Sequence, residues 1–162
     1  MAEWATFATV SGAAAAGLTG LLFVAVSIRI DVIARSTELR NRAAQTLSLF
    51  VTVLFIAILL AIPGQADGAL GGELVALAVI VGGGLFILDR RARRNTQAAG
   101  MEGTARLFDA VAPNTVTSIL LLISGLLLAL GVHAGLYILV VPVIAALAGG
   151  VASAWLLLTK VV

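Results

Sequence analysis

A chain of 162 residues that is 61% hydrophobic and 11% charged, with a mean hydropathy of +1.15, carries more apolar surface than a soluble domain of its size can hide. Lipid is its natural solvent. The ten basic residues behind a pI near 9.9 stand beside apolar runs rather than among interleaved aromatics, so anionic headgroups, not nucleic acid, are the expected partner. The absence of cysteine excludes disulfides, thiolate nucleophiles, iron–sulfur clusters and cysteine-bound zinc.

The opening Met1-Ala2-Glu3-Trp4 has no basic n-region, so the first apolar run, residues 4–28, reads as a retained span rather than a cleaved signal peptide. Arg29, Asp31, Arg35, Glu38, Arg40 and Arg42 follow it. The acid-first pairs Asp31–Arg35 and Glu38–Arg42 have the i,i+4 spacing that favours helix, which predicts a helical connector on or just above the bilayer. A second run, 44–62, stops at Pro63-Gly64. The segment 65–72 predicts a short loop without Lys or Arg.

The third run, 73–88, is short and carries Gly82-Gly83-Gly84, each glycine costing about 1 kcal/mol in a helix interior. Its topology is decided by the next stretch, Asp89-Arg90-Arg91-Ala92-Arg93-Arg94. If the run did not cross, these arginines would lie opposite the cluster at Arg29, Arg35, Arg40 and Arg42, against the positive-inside bias. With a crossing, every basic residue falls on one side.

Residues 101–111 predict a short interfacial helix that Pro113 ends, with Asn114 or Thr115 capping the next. The fourth run is 114–132, a tight turn lies at 131–135, and the fifth run is 136–159. The reading is an all-α, polytopic transmembrane helical bundle forming one domain. It has five spans, the N-terminus outside and the C-terminus cytoplasmic, in a bacterial plasma (inner) membrane. Trp4 and Tyr137 fall at the outer interface and Trp155 at the inner one. There is no internal repeat.

No charged residue lies near the centre of a predicted span, which argues against proton-coupled transport, voltage sensing and intramembrane acid–base catalysis. Asp31 and Asp89 sit at span ends beside arginines and read as salt-bridged boundary carboxylates. His133, Asp67 and Glu73 share the outer side but lack ligand spacing, so no metal is expected. Neither a phosphate-binding glycine motif nor a hydrolase elbow is present. No cofactor and no enzymatic activity are expected.

A stripe of small and hydroxyl residues marks the first span: Thr6, Thr9, Ala13, Ala16, Gly20 and Ser27. The fourth span carries Thr117, Ser124 and Gly131 one heptad apart, and the fifth carries Ala145, Gly149 and Ser153 with Ala146, Gly150 and Ala154 alongside. Such faces let helix backbones approach closely, either within one bundle or along a pore or a neighbouring subunit. Pro142 predicts a kink and a freed carbonyl in the outer third of the fifth span.

Around Leu21-Leu22-Phe23-Val24-Ala25-Val26-Ser27-Ile28-Arg29 and at Pro63-Gly64-Gln65 the chain resembles a family of small, uncharacterised bacterial integral membrane proteins. Some members carry a label as modulators of a membrane protease. The resemblance covers the first two spans and the loop after them, and implies no catalytic or binding residues. Two readings follow. One is a homo-oligomer offering a passive, channel-like path for ions or small polar solutes. The other is an accessory or scaffold subunit of a larger membrane complex.

The arginine cluster generates a direct test. Replacing Arg90, Arg91, Arg93 and Arg94 with neutral residues is expected to scramble the orientation of the third span. A reporter fused after Asn95 reads that change, and an unaltered reporter signal would remove this stretch as the topology determinant.

Overall fold

The computed structural model describes residues 4–28, 30–97 and 113–159, with the backbone alone for 38, 85–86, 88–97, 113–115 and 156–159. Among the described residues the fold is all-α: α1 Ala5–Ile28, α2 Ile30–Arg35, α3 Thr37–Ala61, α4 Asp67–Gln97, α5 Pro113–Ala129 and α6 Ala134–Thr159. The segments Ala5–Ile28, Leu39–Ala61, Asp67–Gly84 and Ala134–Trp155 are each long and apolar enough to cross a membrane. The apolar part of α5, Val116–Ala129, is shorter. At 1.5 Å per residue α5 is about 26 Å long, slightly under the ~30 Å of hydrocarbon.

Several boundaries differ from the sequence expectation. The connector after the first span is only partly a separate helix. The six residues of α2 end at Arg35, and Ser36 follows, whose extended backbone (φ −113°, ψ 114°) and hydroxyl, accepting from the Leu39 N–H at 3.4 Å, cap α3. Thr37 to Arg42 therefore open the second long helix. The expected loop 65–72 is mostly helix. The Ala66 carbonyl accepts the Ala69 and Leu70 amides at 3.0 and 3.1 Å, and Asp67 places a carboxylate in the positive first turn of α4. Gly82-Gly83-Gly84 lie within α4, whose backbone stays helical through the arginine cluster to Gln97.

The fourth apolar run starts at Pro113, which needs no N–H in a first turn, and ends three residues earlier than expected. Gly131 (φ 79°) takes the left-handed conformation. Its N–H reaches the Leu128 carbonyl at 2.9 Å, and the Val132 N–H reaches Leu127 at 2.9 Å. This paired closure satisfies carbonyls that the end of α5 would leave open. The interfacial helix expected at 101–111 lies outside the described residues, as do Arg29 and Lys160.

The packing is an antiparallel ring of α3, α4, α5 and α6, with α1 laid against the outside of α3 and touching α6 lightly. In α3 the buried positions Thr46, Leu49, Phe50, Val53, Ile56, Ala57 and Leu60 repeat every three or four residues, so one stripe faces the ring. It meets Leu70, Leu74 and Ala78 of α4, Leu121 and Leu128 of α5, and Leu136, Leu139, Val143 and Ala146 of α6 in one core.

The closest backbone approach is between α4 and α5. A Cβ at Gly71 would lie 2.7 Å from the Ala129 Cα and 2.8 Å from the Gly125 carbonyl oxygen. A Cβ at Gly125 would lie 2.8 Å from the Val75 nitrogen. Backbone cannot yield as a flexible side chain can. Gly71→Ala is therefore expected to destabilise the fold by about 1–3 kcal/mol. Gly72→Ala, where nothing lies within 4 Å of the new carbon, should be neutral or stabilising by up to about 1 kcal/mol. Denaturant titration of both variants in bicelles compares them directly.

Candidate functional site

The first-span stripe lies on the outside of the molecule. Thr6, Thr9, Ala13, Ala16, Gly20 and Ser27 are all exposed. The face of α1 that packs on α3 is instead Ala8, Ser11, Gly12, Ala15 and Leu22, with Gly12 against Ala57. At 100° per residue the two faces are separated by about 120° around the helix. The Thr9 hydroxyl donates to the Ala5 carbonyl at 2.9 Å, and Thr19 does the same to Ala15 at 2.8 Å. These hydroxyls thus meet their hydrogen-bonding need inside α1 and can face lipid or another apolar helix without a partner.

The fourth-span positions behave differently. Ser124 is fully buried, and its Oγ donates to the Gly135 carbonyl at 2.7 Å, tying α5 to α6. A Cβ at Gly135 would meet the Ser124 carbonyl oxygen at 2.7 Å, so the bond forms where the two backbones nearly touch. Thr117 is buried too, and its hydroxyl has no partner. Gly131 belongs to the turn and is exposed.

In α6, Ala146 and Gly150 are buried while Ala145, Gly149, Ser153 and Ala154 are half-buried. A Cβ at Gly150 would lie 2.7 Å from the Phe50 Cζ, so the phenyl ring of α3 occupies the space that side chain would need. Buried Thr46 and Thr52 on α3 are packing residues that the stripe reading missed. They bond the Arg42 and Ser48 carbonyls at 2.9 and 2.7 Å.

Polar groups gather at the end of the ring where α3 passes to α4 and α5 passes to α6. The His133 Nδ1 lies 3.0 Å from the Asp67 Oδ2, while Glu73 accepts from the Gln65 amide nitrogen instead of joining them. Two of the three outer residues named from sequence therefore meet, and the third is engaged elsewhere. Among the described residues no group of three or more metal-binding side chains exists. Trp4 and Tyr137 stand at this same end in edge-to-face contact, ring centroids 5.3 Å apart, and Trp4 makes a similar contact with Phe7 at 5.7 Å.

The described arginines, Arg35, Arg40 and Arg42, belong to α2 and the start of α3, at the far end of the ring. Asp31 is exposed there. The side chains of Arg90, Arg91, Arg93 and Arg94 lie outside the described residues, although their backbone is helical. On α6, Leu147, Ala148, Val151, Ala152 and Trp155 line a shallow, open and apolar groove.

Chemically, the arrangement offers tight helix contacts and two polarised ends, with buried hydroxyls spent mainly on carbonyls. Ser124→Ala is expected to cost about 0.5–1.5 kcal/mol, the net worth of the lost α5–α6 hydrogen bond, since the Gly135 carbonyl keeps its helical donor. Thr9→Ala, on the exposed face, should change stability by under about 0.5 kcal/mol. Reversible unfolding in mixed micelles measures both. No protein-family model, curated protein or solved structure matches the chain.

Proposed function

We propose that the protein is a multi-pass membrane protein that self-associates through the outward face of α1 and forms, between copies, a passive path for ions or small polar solutes. The observation that carries this reading is the exposure of the whole Thr6–Thr9–Ala13–Ala16–Gly20–Ser27 face. A face of small residues lets a second helix approach closely, whereas large aliphatic side chains suit contact with lipid alone. The interior of one bundle is filled by Leu49, Val53, Ile56, Leu74, Leu121 and Leu139, so a polar route runs between copies rather than through one.

The five-crossing reading is supported by how α5 is held. Gly71 approaches Ala129, and Gly82 lies beside Ser118, so α5 runs antiparallel along the apolar Asp67–Gly84 half of α4. If that half of α4 crosses the bilayer, α5 lies at the same depth. The positive-inside bias then sets the arginine-bearing end, and with it the C-terminus, in the cytoplasm of a bacterial cell. Anionic headgroups are the partners of Arg29, Arg35, Arg40, Arg42, Arg90, Arg91, Arg93 and Arg94 at that face. The second reading, an accessory subunit of a larger complex such as a membrane protease, draws support from the apolar groove around Val151 and Trp155.

Single-cysteine variants at Ala13 and Ala16 are expected to cross-link between copies in native membranes, while a cysteine at Leu130, exposed away from α1, should not. Bulky Ala13→Phe should abolish the cross-link at Ala16 and reduce potassium, chloride and glycerol flux in proteoliposomes at least ten-fold. Cross-links without flux above protein-free liposomes would sink the path and leave self-association standing. Monomers without cross-links would sink both.

A further inference from the structure

Glu73 is a carboxylate without a cationic partner among the described residues. No Lys or Arg occurs between Arg42 and Arg90 or between Arg106 and Lys160, and the His133 imidazole is taken by Asp67 at 3.0 Å. Glu73 is exposed and lies about 9 Å along α4 from Asp67, within the segment long and apolar enough to cross a membrane. A carboxylate in that position loses part of its hydration, and a bound counter-ion offsets the loss.

The hydrogen bond that Glu73 does receive comes from Gln65, whose Nε2 lies 2.5 Å from the Glu73 Oε2. The other end of the same amide, Oε1, is buried and accepts no hydrogen bond. Glu73 alone therefore sets which way this amide faces. A half-turn about the last torsion of Gln65 exchanges Nε2 and Oε1, and torsions of that kind are soft. The turn forfeits no other bond, because Oε1 has none to lose. It brings the amide oxygen against the carboxylate, where the two repel unless a cation lies between them. Neighbouring oxygens on one calcium ion stand roughly 3.4 Å apart, so the pair needs to open by only about 1 Å. One charged and one neutral oxygen suit a hard cation rather than a soft transition metal. Calcium accepts such an irregular set, whereas magnesium holds its own water and demands stricter geometry.

We infer that Glu73 and Gln65 form a calcium-binding site at the outer end of α4. The Glu73 carboxylate and the Gln65 amide oxygen are its protein ligands, and water reaching the exposed carboxylate completes the shell. The ion neutralises Glu73 and ties the turn before α4 to the second turn of that helix. The site rests neither on self-association nor on a path between copies.

The test titrates the full chain, in nanodiscs of zwitterionic lipid and a constant potassium background, with calcium chloride up to about 10 mM. Calcium is expected to shift the nuclear magnetic resonances of the Gln65 side-chain amide and to leave those of Gln45, on the inner half of α3, in place. Glu73→Gln should abolish binding, and Gln65→Leu should weaken it about ten-fold. Gln65→Glu, which supplies a second carboxylate, should tighten it about ten-fold. Asp67→Asn removes a neighbouring charge but no ligand, and should change the affinity less than about three-fold. Circular dichroism of each variant checks that its helices are intact. Unshifted Gln65 resonances at the highest calcium, equal losses for Glu73→Gln and Asp67→Asn, or resonances that respond to pH and not to calcium would each overturn the site.

Discussion

Close backbone approach is the constraint on which this bundle depends. Between lipid tails, apolar helices gain nothing from hiding hydrocarbon from hydrocarbon, so cohesion comes from dispersion at short range and from polar bonds that short range permits. The Gly71–Gly125 crossing brings α4 and α5 to backbone contact, and Gly135 lets the Ser124 hydroxyl reach a main-chain carbonyl on α6. Gly150 admits the Phe50 ring, and Gly12 admits the Ala57 methyl. Each contact places a small residue where a larger side chain would separate the helices.

This constraint also explains why α3 holds the assembly together. It is the helix that touches α1, α4 and α6, and its buried stripe mixes bulky Leu49, Phe50 and Ile56 with Thr46 and Thr52. The bulky members fill the ring, and the threonines return their hydroxyls to their own helix. What results, among the described residues, is an apolar interior with isolated polar points. Among the described residues no continuous polar lining runs through one copy, and the outward small-residue face of α1 gains its interest from that contrast.

The two ends of the bundle differ in chemistry. One gathers Trp4, Tyr137, the Asp67–His133 pair and the Gln65–Glu73 contact. The other bears the arginines of α2 and early α3. The Asp67–His133 pair joins the start of α4 to the turn before α6, with His133 78% exposed, so its contribution is at most about 1 kcal/mol. It aligns two turns at the surface while the glycine contacts below hold the helices.

The all-α class and four of the long apolar helices were legible in the sequence, because length and hydropathy alone decide whether a segment can satisfy its backbone in lipid. Helix ends were less legible. The glycine-rich segment after Gln65 reads as a loop by propensity, yet it is helix from Asp67, where Gly71 pays its propensity cost back in contact with α5. The first-span stripe shows the same limit from another side. Small residues encircle α1, so both Thr6-Thr9-Ala13 and Ala8-Ser11-Ala15 have helical spacing, and periodicity cannot rank two faces of similar size. Sequence by itself determined that this chain is a set of apolar helices with eight of its nine arginines in two clusters. Only the tertiary structure decided which face of α1 meets α3, and that Ser124 would find Gly135 and His133 find Asp67. Those choices depend on the shape and register of neighbouring helices, which no local pattern encodes.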